Sequence, residues 1–233
     1  MLYNSPLITG TLVRRYKRFL ADVILDDGTA VTAHVPNTGS MMSTREPGSP
    51  IALSVSASKT RKYAHTLELV GVSGCWVGVN TSRPNHLVAE AVSGGSISAL
   101  RGFESMRMEV PYGERSRVDL LLSTGEARCY VEVKNVTYRV EDTALFPDAV
   151  TERGTRHLRE LENMVRQGSR AVIFFLVNRS DCSAMGPASQ IDPVYAAALS
   201  RSISNGVEAM AYRVCNSLEC SVVECELPIV MDM

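Results

Sequence analysis

Apolar positions in the first third of the chain recur with a period of two. In "GTLVRRYKRFLADVILDDGTAVTAHVP" (10–36), Val23 and Leu25 alternate before Asp26-Asp27-Gly28, and Val31 and Ala33 alternate after it. A tight hairpin needs positive φ, which Asp-Gly supplies, so the pattern predicts a hairpin there. Further strands are predicted at 51–57 ("IALSVSA"), 65–72 and 75–80, separated by loops rich in Gly, Pro and Ser. Five or so strands with no helix-length pattern predict a small barrel or sandwich. A five-stranded barrel of the OB type fits the count, and such barrels bind single strands or oligosaccharides.

The periodicity changes at Thr81. "TSRPNHLVAEAV" has capping residues, an early Pro84, and Leu87, Val88, Ala91 and Val92 on one helical face. A strand is predicted at 106–110, then a strand pair at 117–122 and 128–136 across Gly125. A helix follows at 151–168, with Leu158, Leu161 and Val165 inward and Gly168 closing it. The continuous apolar run "AVIFFLV" (171–177) reads as a central strand; a helix at 192–206 and a strand at 207–214 complete the order α-β-β-β-α-β-α-β. The expected division is a barrel domain at 1–82 and an α/β domain at 83–233.

Composition narrows the picture. The 233 residues are 45% hydrophobic and 21% charged with net charge −1, which is globular and carries no bulk signature of a nucleic-acid binder. The charge is uneven: residues 1–82 carry eight Lys/Arg against five acids, and the remainder sixteen against twenty. No apolar run approaches the ~20 residues of a membrane span, and "MLYNSPLITG" lacks a signal-peptide pattern, so a cytoplasmic location is expected. The six cysteines are then expected to be reduced; the five-residue recurrence of Cys215, Cys220 and Cys225 is too loose for a usual zinc site.

"CYVEVKNVT" (129–137) alternates Val131 and Val133 with Glu132 and Lys134, which share a face. Asp119 lies in the neighbouring predicted strand, giving Asp-x12-Glu-x-Lys. Paired carboxylates on an otherwise apolar sheet repel each other unless a cation or proton lies between them. Mg²⁺ or Mn²⁺ is the expected cofactor, since hard cations take one or two carboxylates plus water. Such an ion polarises a phosphate oxygen, and Lys134 is then placed to stabilise charge or orient water.

Motif and element order together resemble the PD-(D/E)XK nuclease superfamily, whose core is α-β-β-β-α-β with Asp on the second strand and Glu-x-Lys on the third. "RVDLLL" supplies Asp119 and "YVEVKNV" supplies Glu132 and Lys134, while Val118 replaces the usual Pro. The resemblance implies Asp119, Glu132 and Lys134 as catalytic residues. It also implies Glu90 of the first helix beside Asp119 and Glu132 as metal ligands. The segments "RYKRFLADV", "HVPNTGSM", "YGERSRVDLLL", "VEVKNVT", "FPDAVTERGTRHLREL" and "AVIFFLV" resemble the sugar fermentation stimulation protein A family over almost the whole chain. That resemblance implies an α+β or α/β two-domain architecture, a small N-terminal OB-like β-barrel with a C-terminal restriction-endonuclease-like α/β domain. It also implies DNA binding linked to regulation of sugar (maltose) metabolism.

Candidate nucleic-acid contacts fall in three groups. "RRYKRF" brings Arg14, Arg15, Tyr16, Lys17 and Arg18, and "SKTRKYAH" brings Lys59, Arg61 and Lys62. Cations interleaved with rings suit a single-strand platform, although edge strands also use Lys and Arg against aggregation. In the second domain Arg115 and Arg117 lead toward Asp119, and Arg153, Arg156 and His157 form a strip at helical spacing, which a solvated face would also produce. The expected partner is DNA, single- or double-stranded; no membrane is expected, and a homo-oligomer is left open. Two readings stand at this point: a metal-dependent phosphodiesterase, or a non-catalytic DNA-binding transcriptional regulator on a nuclease fold.

Overall fold

The computed structural model describes residues 1–58, 60–113 and 116–231. Lys59 and Arg115 therefore lie outside the described residues. The first six strands are β1 (Ile8–Tyr16), β2 (Leu20–Leu25), β3 (Ala30–His34), β4 (Pro50–Val55), β5 (His65–Val72) and β6 (Cys75–Gly78). Their order is β3-β2-β1-β4-β5-β6, and a parallel contact of His34 with Thr66 joins β3 to β5. That contact closes a five-stranded barrel of the OB type, with β6 attached outside the ring. The predicted hairpin is β2–β3, its turn carried by Gly28 at φ 85°. Leu12, Val23, Ile51, Leu53, Leu67 and Val77 fill the interior.

The helix α1 (Pro84–Ser93) opens the α/β part. It is followed by β7 (Ser105–Tyr112), β8 (Ser116–Thr124), β9 (Ala127–Val136), β10 (Tyr138–Val140), β11 (Thr143–Phe146), α2 (Glu152–Arg166), β12 (Arg170–Val177), β13 (Ala184–Pro187), α3 (Pro193–Ser204), β14 (Glu208–Asn216) and β15 (Ser221–Glu226). The large sheet has the order β15-β14-β12-β9-β8-β7, with β9, β12 and β14 parallel at its centre. Helix α1 covers one face, and α2 with α3 covers the other. This explains the unbroken apolar run of β12. Val172, Phe174 and Leu176 pack toward α1, while Ile173, Phe175 and Val177 pack toward α2 and α3. Each such burial contributes roughly 1.5–3 kcal/mol.

Asp192 ties the two helices on that face together. Its Oδ1 accepts from Tyr195 N at 2.9 Å, capping α3, and its Oδ2 accepts from Thr151 N at 2.8 Å at the entrance of α2. A small sheet, β10-β11-β13, was not expected from the sequence. Its strands have three or four residues, too short to show alternation, and β13 reads "AMGP", whose Gly and Pro argue against a strand. The edge strand β15 was also not expected.

The barrel seats β6 on the carboxyl ends of the central strands. Gly78 N donates to Asn178 O at 2.9 Å, and Asn216 Nδ2 reaches Trp76 O at 3.2 Å. Asn178 Nδ2 donates to Asn135 Oδ1, and Asn216 Nδ2 donates to Asn178 Oδ1, both at 2.9 Å. Three asparagines at the ends of β9, β12 and β14 thus form an amide ladder beneath the barrel.

Candidate metal centre

The centre lies where β8 and β9 part. Their ladder runs from Thr124–Ala127 to Leu120–Val131. Beyond it β8 stays with β7, while β9 continues to Val136 beside β12. On this splayed stretch Val133 N donates to Asp119 Oδ2 at 2.7 Å. Asp119 Oδ1 accepts from Asn85 Nδ2 at 2.8 Å, on the first turn of α1. The same amide reaches Glu109 Oε1 at 3.1 Å, from a point in β7 where Glu109 adopts φ 53°.

Glu132 points to the α2 side and is 2% exposed. Lys134 Nζ lies 2.6 Å from Glu132 Oε1, which confirms that the two share a face. His157 of α2 places Nδ1 on the same oxygen and 3.3 Å from Lys134 Nζ. Arg153 Nε donates to His157 Nε2 at 3.3 Å. Arginine can only donate, so Nε2 accepts and Nδ1 carries the hydrogen that points to Glu132; Lys134, also donor-only, bonds Glu132 and makes a contact with Nδ1 but no hydrogen bond. The second carboxylate oxygen, Glu132 Oε2, is buried with no hydrogen-bond partner.

Two carboxylates in one desolvated site oppose each other. Burial, then the charge of Glu132, pushes the Asp119 carboxyl up to about 6, against the pull of Lys134, Val133 N–H and Asn85. Burial raises Glu132 as well, but Lys134 and the His157 hydrogen bond outweigh it and leave the group below its ordinary value. The lysine and histidine therefore compensate Glu132, and Asp119 is the carboxylate short of positive charge.

A cleft of about 410 Å³ opens over these groups. Asn37 and Thr81 approach it from the barrel, and Asp119, Glu132, Lys134 and Arg153 from the sheet and α2. Its rim is latched between domains: Ser40 Oγ donates to Asp148 Oδ2 at 2.8 Å and Met41 N to the same oxygen at 3.1 Å.

The structure brings Asp119, Glu132 and Lys134 together but leaves Glu90 out. Glu90 sits on the last turn of α1, exposed, with Oε1 2.6 Å from the Met1 ammonium. The residue of α1 that reaches the site is Asn85. His157, expected on a DNA-facing strip, is 3% exposed and belongs beneath the centre. Arg15, expected to contact nucleic acid, is half-buried and spends its guanidinium on the carbonyls of Asn37 (2.8 Å), Gly39 (2.9 Å) and Ser40 (3.3 Å). It shapes the loop at the rim instead.

The other cations are dispersed. Arg14 pairs with Asp22 at 2.8 Å, and Tyr16 donates to that carboxylate. Lys17 is exposed, and Arg18 caps Thr38 O at 3.0 Å. Arg61 lies 3.4 Å from His34 Nδ1, and Lys62 stands over the Tyr63 ring. Arg117 is exposed on β8. Arg156 lines a separate depression with Val150 and Val194, while Arg153 and His157 of the same strip line the cleft. Among the described residues no three His, Cys, Asp or Glu side chains converge as a metal cluster, which also holds for the C-terminal cysteines, and all six cysteines are free. Asn85 and Asp148 were missed because polar residues near turns carry no spacing signal, and Asn37 reads equally well as part of a Pro-Asn-Gly turn; only the fold brings the three together.

A barrel of OB type set over an α/β sheet, with two carboxylates and a lysine where the strands part, defines a class of two-domain proteins. The chain belongs to the sugar fermentation stimulation protein family. The family's RE domain matches residues 82–219, and the SfsA N-terminal OB domain matches residues 13–79. The sugar fermentation stimulation protein homolog of Citrifermentans bemidjiense is 59% identical over 213 residues, covering 91% of this chain and 92% of its own. That of Pelobacter propionicus is 55% identical over 226 residues, covering 97% and 98%. The solved structure of Pyrococcus furiosus SfsA in complex with Ca²⁺ is similar with a TM-score of 0.89 and 27% identity, over 99% of this chain and 98% of that one.

Proposed function

We propose that the cleft holds a divalent cation, Mg²⁺ or Mn²⁺, on Asp119 and Glu132, and that the protein is a DNA-binding phosphodiesterase. The observation that carries this reading is Glu132 Oε2, a buried carboxylate oxygen with no partner, in the same cleft as Asp119. A buried charged oxygen without a partner is costly, and a hard cation is the partner that two carboxylates select. The Ca²⁺ complex of the Pyrococcus furiosus relative supports a divalent site in this fold. When bound, the ion would polarise a phosphate oxygen and lower the pKa of a coordinated water.

The chain's own residues supply the rest. Asp119 is held by Val133 N–H and Asn85, and Glu132 by Lys134 and His157. Lys134 stands beside the cleft as a fixed positive charge for the pentacoordinate phosphate. Arg153 offers its remaining N–H groups to a phosphate oxygen. Arg14, Lys17, Arg18, Arg61 and Lys62 give the barrel exposed cations for the DNA backbone. The family's association with sugar fermentation, and regulation of maltose metabolism in the cytoplasm, would follow from that DNA contact. Among the described residues no helix is long and apolar enough to cross a membrane.

The test is incubation with single- and double-stranded DNA in Mn²⁺ and in EDTA. Cutting in Mn²⁺ and none in EDTA is expected; DNA left whole in both refutes the hydrolytic reading. A second reading, a regulator that binds DNA without cutting, is favoured by one observation: Lys134 and His157 already compensate Glu132 without a cation. DNA binding that is unchanged by EDTA, with no cutting in Mn²⁺ either, would favour it. Steep loss of binding with salt would identify phosphate contacts and set aside an oligosaccharide ligand.

A further inference from the structure

We infer that His157 is a positioning residue for the cation: it loads one oxygen of Glu132 so that the other is left to coordinate. The inference rests on the divalent reading given above and adds to it a residue outside the carboxylate–lysine motif. The imidazole is 3% exposed, and both ring nitrogens are engaged. Arg153 fixes the tautomer by donating to Nε2, so the Nδ1 hydrogen is directed at Glu132 Oε1. Lys134 adds a second donor to that same oxygen at 2.6 Å. Both donors converge on Oε1, and Oε2 has none.

A carboxylate free to rotate would share donors between its oxygens. Here a rigid ring buried on α2 holds the group in one orientation. Partners that orient a ligating group in this way typically contribute about 10–100-fold to metal affinity. Helix α2 is thereby coupled to the centre although it supplies no ligand. The neighbouring Arg153, exposed at the cleft, is held by the other ring nitrogen.

The test is calorimetric titration of EDTA-stripped protein with Mn²⁺ alone, for wild type, His157→Ala, His157→Asn and His157→Gln. The Asn amide places a donor near the position of Nδ1; Gln places its amide nearer Nε2. The expected result is about 10–100-fold weaker binding for His157→Ala and His157→Gln, and rescue to within about threefold of wild type by His157→Asn. A purely structural role would lower the melting temperature of all three variants without that rescue. Should His157→Ala fail to fold, the Asn and Gln pair carries the comparison. Wild-type binding with no loss in His157→Gln, or no rescue in His157→Asn, overturns the inference alone. Absence of Mn²⁺ binding by the wild type overturns the divalent reading and the inference with it.

Discussion

Ser40 donates its hydroxyl to Asp148 Oδ2 at 2.8 Å across 108 positions of sequence, joining a barrel loop to the loop after β11. Asp148 also accepts from Met41 N and lines the cleft. Asp148→Ala removes both bonds and leaves the Met41 amide without its partner. A loss of ~1–3 kcal/mol in stability is expected. Mn²⁺ affinity should stay within about twofold, because Asp148 holds the rim and no ligand. Thermal melts and a metal titration check the two halves; a large loss of metal affinity would move Asp148 into the centre itself.

Asp119 is costly to the protein without metal. Its carboxyl is raised to about 6 from 3.8, so burial and Glu132 penalise the ionised form. A raised acid favours the protonated native state. The penalty is therefore full above about pH 6 and is relieved as pH falls toward 3.8. Asp119→Asn is expected to stabilise EDTA-treated protein at pH 7.5 by ~1–3 kcal/mol, seen as a rise of ~2–8 °C in melting temperature. The same variant should lose more than about tenfold in Mn²⁺ affinity. An unchanged titration would remove Asp119 from the ligand set.

Lys134→Ala separates binding from chemistry. It withdraws a positive charge 2.6 Å from Glu132 Oε1 but keeps the His157 donor on that oxygen, so the carboxylate still presents Oε2 and the metal meets less repulsion. Mn²⁺ binding should be kept or tightened, while cleavage falls by about 10²–10³. Single-turnover rates at saturating Mn²⁺ measure this. Undiminished cutting would leave the lysine as a mere counter-ion.

Glu162 links α2 to α3 and sets an acid limit on stability. Burial raises its carboxyl, but hydrogen bonds from Ser202 at 2.6 Å and Asn205 at 3.2 Å, with Arg201 and Arg166, bring it below its ordinary 4.5. A lowered carboxyl stabilises the fold above pH 4.5, and that contribution is lost as pH falls through the native value. Glu162→Gln is expected to cost ~1–3 kcal/mol at pH 7 and much less at pH 3. Urea melts at the two pH values decide; an equal cost at both would mean packing alone.

Much of this molecule is written in local pattern. The hairpin around Gly28, the two-sided burial of β12 and the caps of α2 and α3 follow from spacing alone, since each depends on neighbours in sequence. Glu132 and Lys134 were legible for the same reason: a strand's period of two puts them on one face whatever surrounds them. Glu90 was misread because its role depends on which turn of α1 faces the splayed strands. That is a matter of helix placement, and the first turn, with Asn85, faces them. His157 resembled a surface residue because its burial comes from β9, distant in sequence. The three-stranded sheet escaped notice because its strands are shorter than one readable alternation.

The amide ladder of Asn135, Asn178 and Asn216 has a practical corollary. The joint it makes between the domains contains no ionised group, so neither added electrolyte nor moderate acidity alters its strength. When binding is followed across a range of ionic strength, this neutral part of the joint will hold, and the Asp148 latch is the interdomain contact to remove as a control before the slope is read as counterions shed by the ligand.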